Sequence, residues 1–337
     1  MFSYSEKLRF DRLCETFHLN FKITKLYAYY LENFPAIITP DMINSITEDG
    51  SISISDAISA LLSEIFGLDP YANTEHRRLM HEYIMPSVRI LDKNKYTENP
   101  YYKNIKLPDI KDENWEFKNE SYAAYRAVIC HDMIINEDFS EIPPLGFFTE
   151  QFPFPAVLED GNEWMTLTPV DLDTCEAAIA QAHGKVVTFG LGLGYYAYMV
   201  SCKESVDTVT VIEKSEKVIE LFKKYILPQF SHPEKVRIVN ADAFEYAERD
   251  MPSENYDLAF VDTWRDASDG APMYKRMKSL EHLSPRTKFL YWIENFLVSR
   301  LRAIRFSEIE EEYISGKLDT DYAQTIKKLS DVQELLK

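Results

Sequence analysis

The sequence predicts an α/β fold in which a doubly wound, mostly parallel sheet follows an all-helical N-terminal domain. Three observations carry this expectation. Between residues 185 and 262, short β-rich runs alternate with helix-period segments, the pattern of repeated βαβ units. Those runs, such as Val186-Val187-Thr188-Phe189 and Val209-Thr210-Val211-Ile212, are almost continuously apolar or β-branched, which suits a sheet covered on both faces. Ahead of residue 146, apolar residues recur three and four positions apart, the period of amphipathic helices. Together they describe a Rossmann-like sheet with helices in front of it.

Each element follows from a local signal. A helix from about Asn20 to Phe34 is rich in aromatics and stops at Pro35, because the residue before proline is pushed out of helical geometry. The segment 54–66 places Ile58, Leu61, Leu62, Ile65 and Phe66 on one stripe, with Gly67 as a stop. A third helix starts at Asn73 or Thr74 and ends before Pro86. Residues 93–120 are polar, carry Pro100 and Pro108, and read as a long connection. Pro143-Pro144-Leu145-Gly146 reads as a breaker cluster. The runs Phe154–Leu158 and Trp164–Thr168 flank an Asp160-Gly161 turn and predict a hairpin. A helix then opens at a capping-box-like Asp173-Thr174-Cys175-Glu176.

Strands are expected at 185–189, 207–213, 235–240 and 256–262, with helices at 195–203, 217–225 and 243–249 between them. Residues 288–293 supply a fifth strand. After Ile293 no alternating run appears; Phe296, Leu297, Leu301 and Ile304 predict a helix, with further helices near 308–314 and 321–336. The expected sheet therefore has five strands; the order 3-2-1-4-5, truncated before a final antiparallel hairpin, is what the family resemblance described below implies, and a helix or another subunit should cover the open edge. The organisation that follows is a helical domain over 1–145, a hairpin plus α/β domain over 146–306, and C-terminal helices over 307–337.

Composition excludes several function classes. Hydrophobic residues make up 45% and charged residues 27%, ordinary values for a globular protein. No stretch of about 18 apolar residues exists to span a membrane, and the start of the chain lacks an export signal, so a cytoplasmic setting is expected. The net charge of −18 works against nucleic-acid binding, which needs phosphate-neutralising cations. Cys14, Cys130, Cys175 and Cys202 are scattered, and His76 and His81 stand five apart, about 140° round a helix. No metal site is indicated. A small-molecule substrate and a homo-oligomer remain the natural partners.

Open α/β sheets bind ligands beyond the carboxyl ends of their strands, so the residues at those ends matter most. The first strand is followed by Gly190-Leu191-Gly192-Leu193-Gly194 and Tyr195; glycines let the backbone turn sharply and approach a ligand. Glu213 ends the second strand, where a carboxylate can accept both hydroxyls of a ribose. Asp242 follows the third, placed to accept from an adenine amino group, and Asp262 follows the fourth. Four strand ends with these residue types point to a ribose–adenine ligand. The glycine spacing is GxGxG, not the GxGxxG that cradles a pyrophosphate, and no GK[ST] motif is present. NAD and ATP are therefore disfavoured.

These residues resemble the class I S-adenosylmethionine-dependent methyltransferases over about 120 residues, from Lys185 to Arg305. The resemblance implies that Gly190, Gly192, Gly194 and Tyr195 lie against the methionine part of S-adenosylmethionine. It implies that Glu213 holds the ribose, Asp242 and Ala243 meet the adenine, and Asp262 and Thr263 sit near the sulfonium. Within that superfamily Asp242-Ala243-Phe244-Glu245-Tyr246, Thr188 and the preceding hairpin are similar to the spermidine-synthase-like branch. The fourth strand departs from that branch, because Asp262-Thr263-Trp264-Arg265-Asp266 spaces its acids by four without a proline.

A sulfonium already carries an electrophilic methyl, so a protein mainly has to align an acceptor. Tyr195, Tyr196 and Trp264 are candidate aromatic walls for the cation, and Asp262 or Asp266 is the candidate base. The expected function is methyl transfer to a small-molecule or protein acceptor. Aminopropyl-type transfer and a non-catalytic cofactor-binding domain are the alternatives.

Overall fold

The computed structural model describes residues 2–336 and divides into two compact units, each assembled from separated stretches of chain. One comprises the chain up to Leu91, Ala123–Glu150 and everything from Asn295 onward; the other comprises Asp92–Tyr122 and Gln151–Glu294. The cuts at 145 and 306 read from the sequence are thus not where compactness divides the chain. Among the described residues, no helix is long and apolar enough to cross a membrane.

The first unit is built on a 30-residue helix, Tyr4–Asn33, which begins well before Asn20. Ser3 and Glu6 form a capping box at its start: the Glu6 N–H donates to the Ser3 hydroxyl and Glu6 accepts from the Ser3 N–H at 2.7 Å. Ile23, Tyr27 and Tyr30 of this helix pack with Ile58 and Leu62 of the helix Ile54–Ile65 and with Leu79 and Tyr83. Phe10, Leu13 and Phe17 pack with Phe306, Ile309 and Leu329, and Phe17 stacks flat on Phe306 at 3.9 Å. The expected third helix continues past Pro86 to Ser87, passing through a wider-wound turn at Leu79–Ile84. Leu145–Phe148 is a fully buried strand, parallel to Val88–Leu91, and not part of a breaker cluster: once its side chains are enclosed, the local glycine matters less than burial. The first two of the three helices expected after Ile293 fuse into one, Glu294–Ile314.

The second unit holds the sheet. Its strands are β1 (Gly184–Phe189), β2 (Val206–Glu213), β3 (Val236–Asn240), β4 (Leu258–Val261) and β5 (Lys288–Tyr291). They run in the order β3-β2-β1-β4-β5 and every neighbouring pair is parallel. No strand follows residue 295 among the described residues. Both features match the expected truncated sheet, and β3 and β5 are its edges.

The segment 93–120 is not a connection. It contains the helices Lys93–Thr97 and Pro100–Asn104 and the strands Ile110–Asp112 and Trp115–Tyr122. Trp115–Tyr122 pairs antiparallel with Phe152–Glu159, which turns at Asp160-Gly161 into Asn162–Thr166. The hairpin is therefore part of a four-stranded sheet. Asp160 and Gly161 have φ of 53° and 78°, the paired left-handed conformation of a tight hairpin turn. Thr168 leaves the hairpin and caps the helix Pro169–Gln181. The capping box thus lies five residues before the one read at Asp173.

Candidate active site at the carboxyl ends of β1, β2, β3 and β4

The loop after β1 is shaped by its neighbours. Gly190 has φ of 97°, and a Cβ there would stand 1.9 Å from the backbone oxygen of Asp262. Only glycine lets the β1 and β4 ends approach so closely. The Gly190 N–H donates to the Ile212 carbonyl at 2.8 Å, and the Leu191 N–H donates to the Glu213 carboxylate at 3.2 Å. Gly194 begins the helix Tyr195–Ser201 and lies against the Phe222 ring. Gly192 faces the end of the Met165 side chain.

Glu213 is half-buried. One carboxylate oxygen accepts from Leu191 and the other from the Ser215 N–H at 2.7 Å. Each keeps a free lone pair, so the group is oriented without being used up. Its carbonyl accepts from the Ala241 N–H and from the Asn240 side-chain amide, each at 3.1 Å, which ties the β2 end to the β3 end. Asp242 follows and caps the helix Ala243–Arg249, accepting from Phe244 and Glu245 N–H groups at 3.0 and 3.2 Å. Burial works to raise the Asp242 carboxyl, but those N–H bonds with Lys214 and Arg276 hold it below its ordinary value. Ala243 is half-buried at the first helical position.

Beyond β4 the environment changes. Leu258, Phe260 and Asp262 project to one face of the sheet, since side chains alternate along a strand. Tyr196 stacks on Phe260 at 4.3 Å, so its ring lies on the face to which Asp262 points. Burial pushes the Asp262 carboxyl up to about 8, and the charge of Asp171 adds to the effect. Asp171 is raised by burial to about 6 although Thr168 donates to it twice, from N–H at 2.7 Å and hydroxyl at 2.9 Å. Asp171 thus ionises first and opposes ionisation of Asp262. Burial also raises the Cys175 thiol, with Asp262 and Asp171 contributing. No hydrogen bond or ion pair engages the Asp262 carboxylate among the described residues, whereas Thr263 Oγ1, Trp264 Nε1 and Tyr196 Oη are buried without a partner.

The structure therefore places Gly190, Glu213, Asp242 and Asp262 at the carboxyl ends of four adjacent strands. Tyr195 is buried, stacked edge-on with Tyr101 and holding Asn99 at 3.2 Å. Asp266 is exposed and caps the helix Ala267–Leu280, accepting from the Ser268 N–H at 2.7 Å. An Asp266→Ala change should cost about 1 kcal/mol of stability, as lost caps do. Thermal denaturation and activity assays check this: stability should fall and turnover should persist. Asp171 was not read from the sequence. Its signal was Thr168-Pro169 followed by an acid, a helix start with proline at the first position.

Glu213 offers two oriented acceptors at the β2 end, Ala243 leaves the β3 end uncrowded, and the orphaned Thr263 hydroxyl stands beyond β4. No protein-family model matches the chain, and no curated protein does. Among solved structures, the chain is similar to spermidine synthase from Thermotoga maritima at 16% identity, over 60% of this chain and 73% of that one, with a TM-score of 0.31. It is also similar to the precorrin 8W decarboxylase of Methanobacterium thermoautotrophicum at 16% identity, over 44% of this chain and 73% of that one, with a TM-score of 0.29. At such scores neither likeness bears on function.

Proposed function

We propose that this chain is an S-adenosylmethionine-dependent methyltransferase whose acceptor site lies beyond β4. The observation that supports this reading is the unpartnered Asp262 carboxyl, its ionisation opposed by burial, at the same carboxyl end of the sheet as the oriented Glu213 carboxylate. When bound, the cofactor would supply an electrophilic methyl group. Glu213 would hold the ribose hydroxyls, Asp242 and Ala243 the adenine, and the backbone of Gly190, Gly192 and Gly194, with Tyr195, the methionine part. Asp262 takes the proton that the acceptor atom loses. Asp266, committed to a helix cap, has no part in this step.

Aligning the acceptor is most of the catalytic task. Asp171 keeps Asp262 poised by like-charge repulsion, which makes the pair a tuned acid–base couple. Glu213→Ala tests the reading. Losing charge-assisted bonds to two hydroxyls should cost about 1.5–3 kcal/mol of affinity, roughly 10- to 150-fold by calorimetric titration with S-adenosylhomocysteine. The fold should be retained by circular dichroism. A variant that binds as tightly as the parent would remove Glu213 from the site.

A further inference from the structure

The segment 93–106, which reads from sequence as a connection, is fastened by its side chains to the loop after β1 and to the helix that follows that loop. Asn99 caps the helix Pro100–Asn104 by accepting from the Tyr101 N–H at 2.9 Å, and its amide nitrogen donates to the Tyr195 hydroxyl at 3.2 Å. Tyr101 Oη donates to the Leu193 carbonyl at 2.5 Å. The Tyr101 ring meets those of Tyr195 and Tyr198 edge-on, at 5.7 and 5.6 Å. Asn104 donates to the Tyr198 hydroxyl at 2.7 Å. The segment is itself anchored at both ends. Lys95 Nζ and Tyr96 Oη donate to Asp173 at 2.7 and 2.9 Å, and the Lys106 backbone exchanges two hydrogen bonds with the Gln229 side chain, at 2.9 and 3.0 Å.

The Tyr101 bond acts on one peptide plane. A peptide group is planar, so holding its oxygen and its N–H fixes its orientation. In the Leu193–Gly194 peptide the oxygen accepts from Tyr101, while the Gly194 N–H donates to the Leu191 carbonyl at 2.8 Å. Tyr101 and Leu193 are each 1% exposed, so water does not take the place of the phenol when it is removed. A buried carbonyl deprived of its donor is costly, and the loop backbone must turn to find another. Burial pushes the Tyr101 phenol far above its ordinary value, so it stays protonated and remains a donor. Resting on the cofactor reading of the glycine loop, we infer that Tyr101 and Asn99 are positioning residues: they set the Leu193–Gly194 peptide and the Tyr195 side chain, and through them the affinity for an S-adenosyl cofactor.

The test compares the full chain with Tyr101→Phe, Asn99→Ala and, as control, Asn104→Ala, whose lost bond lies on the helix beyond the loop. Affinity for S-adenosylhomocysteine is measured by calorimetric titration, and amide hydrogen exchange over 190–194 is followed by mass spectrometry without ligand. Tyr101→Phe and Asn99→Ala should each weaken binding about tenfold, the effect of one lost buried hydrogen bond, and should speed exchange in the loop relative to the β2 amides. Asn104→Ala should lower Tm yet keep affinity within about twofold of the parent. A merely structural strap would make affinity follow Tm in all three variants, and that result would overturn the inference. So would unchanged affinity in both Tyr101→Phe and Asn99→Ala. If Tyr101→Phe does not fold, Asn99→Ala decides by the same two readings. A parent that binds no S-adenosylhomocysteine, while Tyr101→Phe still speeds loop exchange, would instead overturn the cofactor reading and leave the hold on the glycine loop standing.

Discussion

In an Asp262→Asn variant, methyl transfer is expected to fall by about 10²–10⁴-fold, the usual contribution of a positioned general base, while the folded protein becomes more stable above neutral pH. Both effects come from one environment. The native carboxyl titrates near 8 instead of 3.8 because it is buried beside Asp171. A group whose folded value is raised contributes its stability below the unfolded value, and that contribution is lost as pH rises through the folded value. The window here runs from about 4 to about 8. Asparagine has no proton to lose, so its advantage over the parent should grow across that window and level off above it. After discounting for the partial exposure of Asp262, the gain should reach roughly 2–4 kcal/mol. Thermal melts of both proteins from pH 4 to 9 measure it, and a constant difference would contradict the shifted carboxyl. The same titration governs activity. Only the ionised form accepts a proton, so kcat/KM should rise with pH and reach its plateau above about 8. Positive charge on the bound cofactor favours the ionised form, so kcat should break at a lower pH.

Gly190→Ala should be the most damaging change at the glycine loop. Its φ of 97° lies outside the left-handed basin that L-residues tolerate. The new Cβ would stand 1.9 Å from the backbone oxygen of Asp262, so the β1 and β4 ends must separate. Strain and displaced backbone together should cost about 3 kcal/mol or more, and the displaced Asp262 should lower activity beyond the loss of stability. Gly192→Ala is the comparison. Its φ is 51° and its nearest neighbour is the flexible end of Met165 at 3.2 Å, so about 1 kcal/mol should suffice. Denaturant titrations of the two variants give the contrast, and equal stabilities would contradict the close approach of β1 and β4.

The central sheet was legible because its signals are local. Each strand of 184–261 is a short run of mostly apolar or β-branched residues, and turn or capping residues follow, such as Gly190 after β1 or Asp242 after β3. The order of the strands was legible only through the family resemblance carried by Gly190, Glu213, Asp242 and Asp262. The sheet containing Trp115–Tyr122 was not legible, because its pairing with Phe152–Glu159 is remote in sequence. Only Trp115 and Phe117 of that strand are buried, while Glu120 and Lys118 keep the segment polar. The start of the first helix was not legible: Ser3 and Glu6 cap it, but the stretch before Asn20 is only weakly amphipathic.

The site divides in the same way. Gly190, Glu213, Asp242 and Asp262 lie at strand ends, where sequence position alone implies function. Asp171 lies in the first turn of a helix outside the βα repeat. Its influence on Asp262 depends on burial, which no local pattern encodes. Asp266 looks like Asp262 in sequence, yet exposure and a helix cap give it a different task.

The claim on which the rest depends is that an S-adenosyl cofactor occupies this sheet edge. Thermal denaturation of the intact chain with S-adenosylmethionine, S-adenosylhomocysteine and NAD, each added separately, tests it most directly. A ligand that binds only the folded state stabilises it by about 2.7 kcal/mol at a hundredfold excess over its dissociation constant. The account predicts a concentration-dependent rise in Tm with both sulfur cofactors, largely lost in Glu213→Ala, and no rise with NAD. A Tm that rises with NAD and stays level with both sulfur cofactors would contradict it.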